Sequence, residues 1–440
     1  MTAGQAHQPV SAEEADQAFA CLERFETLLL AVSGGPDSLA LLYLVAEWAK
    51  RKGLPTERLF AATVDHQLRN FSEMEARFVA ERCAELGLLH STLRWIGPKP
   101  FSGVAELART NRYRLLCENA RAIGGSGRTA ILTAHTLDDQ AETVLMRLKR
   151  GSGVEGLASI PMERALADAS DIRLVRPLLA IEKSRLIATL EVRGQTWCED
   201  PTNSDVSYER VRVRRLMENL KQSGVTAEAL ARTARRMSDA RDGLAYAVAQ
   251  FKASLQLNWN GGIYASLDRA AYNAGPRIVR QMVLADLIAK SGGASAAPEL
   301  LEIESLVGRL EAETESGATL GGAMIRANAR SVRIWREAGR LDGRAVALTP
   351  GTPIIWDARF RVGYTGNADS AITVAPLGRT QYEAIGGDFP GRLRPPAGAA
   401  YGLPAFFARG ALLAVPSLGI EPVTSADFKG LHFTCDPIDR

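Results

Sequence analysis

Hydrophobic and polar positions follow a repeating rhythm over the first two hundred residues. Short runs rich in β-branched and aliphatic residues occur at Leu28–Val32, Leu59–Val64, Ser91–Ile96 and Thr129–Thr133. Longer stretches of helical period, such as Ser72–Leu86 and Val104–Arg121, lie between them. The short runs have the length and composition of buried strands, and the long ones gather their apolar residues on one helical face. This alternation predicts an α/β domain built on a parallel sheet with helices on both faces. Ligands then belong at the carboxyl ends of the strands. Near residue 222 the rhythm stops. Residues 224–255 carry an Ala/Arg-rich helical pattern, and Pro298–Glu313 reads as another amphipathic helix. Thr319-Leu320-Gly321-Gly322 then introduces an alternating stretch, Met324 to Trp335, with the pattern of a strand or hairpin. Beyond about residue 340 Gly and Pro are frequent and apolar runs are short, as in a small β-rich domain. The expected division is 1–222, a mainly helical 223–340, and a β-rich 341–440.

A chain of 440 residues is too long for one ordinary core, in keeping with several domains. Its 46% hydrophobic and 23% charged residues are those of a soluble globular protein. No apolar run approaches the roughly 20 residues that span a bilayer. The first residues, Met1 to Gln17, are polar and acidic and resemble neither a signal nor a transit peptide, so a cytoplasmic location is expected. Cys21, Cys83, Cys117, Cys198 and Cys435 lie far apart without a C-x-x-C pair, which argues against a zinc ribbon, an iron–sulfur site or a disulfide framework. The net charge of +3 decides nothing, but its distribution is uneven. Val206 to Arg241 holds nine Lys/Arg against four Asp/Glu, including Arg210, Arg212, Arg214 and Arg215. Such a run is usually a solvated helix face, with a nucleic-acid contact as the lesser alternative.

Candidate chemistry begins at Leu28–Ser38, LLLAVSGGPDS. An aliphatic run breaks into a glycine turn and enters a stretch of helical period at Leu39, Leu42, Tyr43 and Ala46. A strand, turn and helix in that order aim backbone N–H groups and the helix dipole at one point, which suits a phosphate. Gly34 and Gly35 let the backbone approach a ligand, Ser33 and Ser38 add hydroxyl donors, and Asp37 can hold a magnesium ion. A serine-capped glycine turn without a ligand would present the same letters. The order S-G-G-x-D-S resembles the pyrophosphate-binding loop of the PP-loop ATPases, which cleave ATP between its α and β phosphates. No Gly-Lys-Ser/Thr follows, so this is not a Walker A loop, and kinase or motor chemistry is disfavoured.

The second signal is His135–Gly151, HTLDDQAETVLMRLKRG. Leu137, Ala141, Val144, Leu145 and Leu148 form one apolar stripe expected to pack on the sheet. Asp138, Asp139 and Glu142 fall on the opposite side, with His135 just before the first turn. Three carboxylates on one face repel one another unless cations or hydrogen bonds compensate. An acidic first turn also complements the helix dipole, so Asp138 alone fits either reading. The full set suits a magnesium ion or the ammonium group of a cationic substrate.

These segments, together with Asp65-His66-Gln67-Leu68-Arg69, Ala108-Arg109 with Arg112-Tyr113, and Asp200-Pro201-Thr202-Asn203-Ser204-Asp205, resemble the tRNA(Ile)-lysidine synthetases. The resemblance covers roughly residues 26–220 and extends weakly to Thr319-Leu320-Gly321-Gly322. It implies a PP-loop (adenine nucleotide alpha hydrolase-like) domain followed by two domains that help hold tRNA. It implies ATP and magnesium as cofactors, and L-lysine and a minor isoleucine tRNA with a CAU anticodon as partners. The implied reaction adenylates the carbon-2 carbonyl oxygen of the wobble cytidine, and lysine then attacks carbon 2 and displaces AMP, changing codon reading from AUG to AUA and identity from Met to Ile. The implied ATP contacts are Ser33, Gly34, Gly35, Pro36, Asp37, Ser38, Asp65, His66 and His135, with the metal on Asp37. Arg112, an always-charged fork beside Tyr113, is the candidate to neutralise the activated intermediate, although Arg109 and Arg112 also read as helix-surface charge. The resemblance also implies that Asp139 and Glu142 receive the lysine or assist its deprotonation. Arg210, Arg212, Arg214 and Arg215 follow the turn formers at the domain junction, where tRNA is expected to pass. The chain is compatible with a homodimer without specifying one.

Two motifs are decoys. Gly151-Ser152-Gly153-Val154-Glu155-Gly156 spells G-x-G-x-x-G but follows a helix, so it reads as a C-cap and loop. Gly124-Gly125-Ser126-Gly127-Arg128-Thr129 lacks the Walker lysine and precedes a strand. Three rival readings remain. A PP-loop tRNA thiolase usually needs paired cysteines, and a GMP-synthetase-like amidotransferase needs a glutaminase domain. A non-catalytic nucleotide-sensing RNA-binding protein has no use for the acidic cluster.

Overall fold

The computed structural model describes residues 8–67, 72–97, 104–124, 128–158, 160–166, 169–199, 209–293, 298–368, 370–386, 395–421 and 430–438. It divides into two compact units that meet in sequence between Arg241 and Asp242.

The first unit runs α1 (Ala12–Phe19), β1 (Thr27–Ala31), α2 (Pro36–Arg51), β2 (Leu59–Asp65), α3 (Ser72–Glu85), β3 (Leu89–Arg94), α4 (Val104–Gly124) and β4 (Thr129–Leu132). It continues with α5 (Leu137–Lys149), α6 (Val154–Leu157), β5 (Glu163–Leu166), β6 (Ala169–Val175), α7 (Lys183–Val192), α8 (Glu209–Gln222) and most of α9 (Ala227–Ser254). The sheet order is β3-β2-β1-β4-β6-β5. All neighbours are parallel except β5, which runs antiparallel to β6 at the edge. The last two strands escape the hydrophobic pattern because Glu163, Arg164, Asp171 and Arg173 interrupt their apolar runs.

Strand alternation explains why helices cover both faces. Leu28 and Leu30 of β1 join a core with Phe19 of α1, Leu41 of α2, Val79 of α3 and Leu186 of α7. Leu29 points the other way, into a core with Leu116 and Ala120 of α4. Each of these fully buried leucines stabilises the fold by ~1.5–3 kcal/mol relative to exposure. The strand order also fixes where a ligand can sit. The chain leaves β1 toward β2 and β3, then returns on the other side as β4, so the crevice opens between β1 and β4 at their carboxyl ends.

The second unit begins with β7 (Tyr264–Asp268), α10 (Arg269–Asn273), α11 (Arg277–Gly292), α12 (Leu300–Ala312), β8 (Ser316–Leu320), β9 (Ala323–Ala327) and β10 (Ser331–Arg336). Its antiparallel sheet, β7-β10-β9-β8, packs Ile325 and Ile334 against Val283 and Leu306 of the helices. The helical middle therefore carries a sheet of its own. The turn at Gly321 and Gly322 has φ of 56° and 77°, the left-handed pair that a two-residue hairpin favours. That turn joins β8 to β9, and the stretch from Met324 to Trp335 forms the next hairpin, β9 and β10, the second of the two expected forms. The remaining strands are β11 (Val346–Ala347), β12 (Ile354–Trp356), β13 (Phe360–Thr365), β14 (Ile372–Pro376), β15 (Pro404–Ala408), β16 (Ala411–Ala414) and β17 (His432–Pro437). They form two antiparallel sheets, β11-β14-β15-β16 and β12-β13-β17. Their core includes Phe360, Val374 and Phe406, and also Ile263 and Trp335 from before residue 341.

Candidate active site

The loop between β1 and α2 is shaped by Gly34, whose φ of +86° disfavours any side chain. A Cβ there would also sit 3.3 Å from Cys198 Sγ, and the Cys198 N–H donates to the Gly34 carbonyl at 2.9 Å. Gly35 is the N-cap of α2 and makes no side-chain cap bond, while Pro36 occupies the first turn. The opening N–H groups of this helix therefore face outward without an intrahelical partner, as an anion site requires. Ser38 departs from its expected role as a free donor. Its hydroxyl accepts from the Ser33 N–H at 3.1 Å and donates to the Gly35 carbonyl at 3.0 Å, so it holds the loop in shape.

Asp37 projects from the first turn of α2. Lys183 Nζ lies 3.1 Å from Asp37 Oδ2, and Asp37 Oδ1 is buried with no hydrogen-bond partner. Burial pushes the Asp37 carboxyl above its ordinary range, and the Lys183 charge opposes the shift. A buried carboxylate oxygen without a partner is the hard donor that a magnesium ion would take, so the residues present fit that ion.

A cleft of about 250 Å³ opens in front of this loop. It gathers Ser33, Gly35, Asp37, Ser38, Arg112, His135, Asp139 and Arg210, along with Arg109 and Tyr113. Arg109 stacks its guanidinium over the Tyr113 ring at 5.3 Å. Arg112 lies 3.3 Å from His66 Nε2, and burial lowers its pKa without threatening a guanidinium charge. Four expected nucleotide contacts, Gly34, Pro36, Asp65 and His66, are not among the lining residues. Asp65 is buried and accepts the Gln67 N–H at 2.8 Å, closing the turn that ends β2. Its carboxylate therefore has a structural duty. Leu68 and Arg69 of the same motif lie outside the described residues, as do Asp200–Asp205 and Gly125–Gly127.

His135 Nδ1 meets Thr133 Oγ1 at 3.0 Å. Burial drives its pKa from 6.5 down to about 4; Asp139 opposes this, while Arg176, Arg210 and Arg109 reinforce it. The ring is neutral at pH 7 and offers a ligand hydrogen bonds rather than charge. Between pH 6.5 and 4 the unfolded chain binds a proton here that the folded chain does not. Stability from this residue is thus intact above about pH 6.5 and drains as pH falls toward 4. Urea titrations across that window should show a shallower loss for His135→Gln than for the parent.

The acidic helix departs furthest from expectation. Asp139 completes a capping box, accepting the Thr136 N–H at 2.8 Å, and its other oxygen holds Arg210 Nη2 at 2.7 Å. Asp138 accepts the Lys183 backbone N–H at 2.8 Å. Glu142, whose side chain is 5% exposed, accepts from Arg210 Nε at 2.8 Å and Arg214 Nε at 2.7 Å. Burial lowers the Arg210 pKa, but Asp139 and Glu142 outweigh it, and the net shift is upward. The mutual repulsion of the carboxylates is relieved by two guanidiniums from α8. Arg210 and Arg214, expected to contact tRNA, share one helix face at four-residue spacing and pair with these carboxylates while staying 43% and 37% exposed. Arg212 and Arg215 lie on the exposed side. Leu148, expected in the apolar stripe, is 56% exposed, since the stripe outruns the sheet near the helix end.

Lys183, Thr133, Cys198 and the buried Arg176, which donates to the Pro161 carbonyl at 2.8 Å, were not legible as site neighbours. Their sequence separation from the loop left no local signal.

Comparison with known proteins agrees with this geometry. A family profile described as a PP-loop domain matches residues 8–220. A tRNA(Ile)-lysidine synthase of Bradyrhizobium sp. strain BTAi1 is 44% identical over 74% of this chain and 91% of its own length. One from Rhodopseudomonas palustris is 40% identical over 73% and 94%, and one from Brucella anthropi 38% over 79% and 76%. Among solved structures, the U34-tRNA thiolase NcsA of Methanococcus maripaludis, with its [4Fe-4S] cluster, covers 52% of this chain and 78% of its own at 19% identity and a TM-score of 0.44.

Proposed function

This chain belongs to the tRNA(Ile)-lysidine synthase family, and from that premise we propose that it ligates lysine to carbon 2 of the wobble cytidine in the CAU anticodon of a minor isoleucine tRNA. ATP supplies AMP to the carbon-2 oxygen and releases pyrophosphate. The lysine ε-amino group then attacks carbon 2, loses a proton, and expels AMP. The product reads AUA in place of AUG.

The observation that carries this reading is the sharing of one cleft by two dissimilar half-sites. Asp37 and the opening of α2 border it on one side, and Asp139 with Arg210 on the other. The loop and helix terminus suit the phosphates, and Asp37 would hold a magnesium ion that would offset their charge. Arg112 and Arg109 supply fixed positive charge where the adenylated base carries its phosphate. The carboxylates of Asp139 and Glu142 suit an ammonium, which would exchange for the guanidiniums of Arg210 and Arg214 now paired with them. Positioning and charge neutralisation are then the chain's main contributions.

A thiolase reading is weaker on the cysteines. No disulfide joins any of the five. Burial raises the pKa of Cys21 and Cys198, and lifts Cys83 to about 12 and Cys435 to about 11, away from the thiolate form that sulfur transfer uses. Radiolabelled lysine incubated with ATP and a CAU-anticodon transcript should label the tRNA. Sulfur incorporation without lysine would establish the rival.

No helix among the described residues is long and apolar enough to cross a membrane, and the proposed work on tRNA belongs in the cytoplasm. We assign residues 223–340 and 341–440 to holding tRNA. Cutting at 341 would uncover Ile263 and Trp335, which share a core with the tail. The cleaner test therefore ends the chain at Arg241, where the first compact unit ends. That fragment should bind ATP within a few-fold of the full chain but lose most tRNA affinity. Its salt dependence should flatten by about one unit of slope per lost phosphate contact. Unchanged affinity and slope would leave the second unit a role other than gripping tRNA.

A further inference from the structure

The loop after β1 has no lysine of its own, yet an ammonium reaches it from 146 residues downstream. Lys183 opens α7, and its Nζ lies 3.1 Å from Asp37 Oδ2. Its backbone N–H is held by Asp138 Oδ2 at 2.8 Å, so the root of the side chain is tied to the start of α5. The side chain is 34% exposed, which leaves the ammonium free to change partners. The pair uses only one oxygen of Asp37; the other is buried and unpartnered.

We propose that Lys183 is a phosphate-binding residue of this site, contacting the pyrophosphate portion of ATP from the Asp37 side of the loop. The assignment rests on the ATP-dependent reaction proposed above. A triphosphate at the opening of α2 brings several negative charges beside the Asp37 carboxylate. Helix N–H groups offer partial charges to offset this repulsion, whereas Lys183 offers a full one at hydrogen-bond distance from that carboxylate. An ammonium is a compact charge with three donors, so it can serve Asp37 and phosphate oxygens together without the fixed fork of arginine. The same contact neutralises the pyrophosphate as it leaves. The Asp138 tether places this cation on the helix start that also carries Asp139, linking phosphate occupancy to the acidic half of the cleft.

Isothermal titration calorimetry of ATP, inorganic pyrophosphate and AMP with the full chain tests the assignment, in magnesium buffer without tRNA or lysine. Lys183→Met should weaken ATP and pyrophosphate binding about ten- to a hundredfold, and AMP binding less than about threefold. Lys183→Arg should recover most of the lost affinity, because the charge returns. Lys183→Gln provides the same comparison if the apolar replacement melts early. Parent-like binding of ATP and pyrophosphate by Lys183→Met, or an equal loss for AMP, would overturn the assignment and leave the lysine as a mere support for Asp37. Because no tRNA or lysine is present, these results stand apart from whether lysidine forms.

Discussion

Asp37→Ala is expected to lower tRNA adenylation by at least about 10²–10³-fold, the range seen when a preorganised charge-stabilising group is removed. The variant should remain folded. Asp37 belongs to none of the hydrophobic clusters, and its ion pair with Lys183 is partly solvated, so its loss costs ~0–1 kcal/mol. For a protein of this size that corresponds to a melting shift of about 2–4 °C or less. Adenylation is read by pyrophosphate release with CAU tRNA, and folding by thermal melting. A folded variant with near-parental release would remove Asp37 from the site.

Glu142→Gln is the second large effect, and it separates the half-reactions. Pyrophosphate release should stay within about threefold of the parent, while lysine transfer falls about tenfold or more through a raised KM for lysine, as expected when one charged contact is lost. The structure adds a stability cost. The amide keeps the shape of the side chain but offers an NH₂ where one of two arginine Nε–H donors now finds an oxygen. One guanidinium contact becomes donor against donor, which costs about 1–3 kcal/mol. Equal loss in both half-reactions would place Glu142 with the nucleotide instead of the amine.

Much of the site could be read from local patterns because its two strongest parts are local objects. Ser33–Ser38 and His135–Glu142 each encode a turn and a helix start just past a strand, and Ser33, Gly35, Asp37, Ser38, His135 and Asp139 line the cleft. What escaped depends on long-range placement. The position of β1 beside β4 follows from chain reversal, not from any residue in either strand. The pairing of Arg210 and Arg214 with Asp139 and Glu142 depends on α8 docking against α5, whereas a run of arginines alone looks the same whether it faces water, RNA or carboxylates. Lys183 reads as an unremarkable helix start until the fold brings it to Asp37. Asp65, expected as a ligand contact from its place at a strand end, also closes the adjoining turn by accepting the Gln67 N–H, a local role the strand pattern did not show.

Mass spectrometry of a CAU-anticodon isoleucine tRNA, incubated with the full chain, ATP, magnesium and lysine, tests the central claim most directly. Nuclease fragments covering the anticodon should gain the mass of one lysine less one water, at the wobble cytidine alone, and the gain should require both ATP and lysine. An unmodified cytidine from a folded, ATP-binding protein, or a sulfur-for-oxygen mass change at that base, would contradict it.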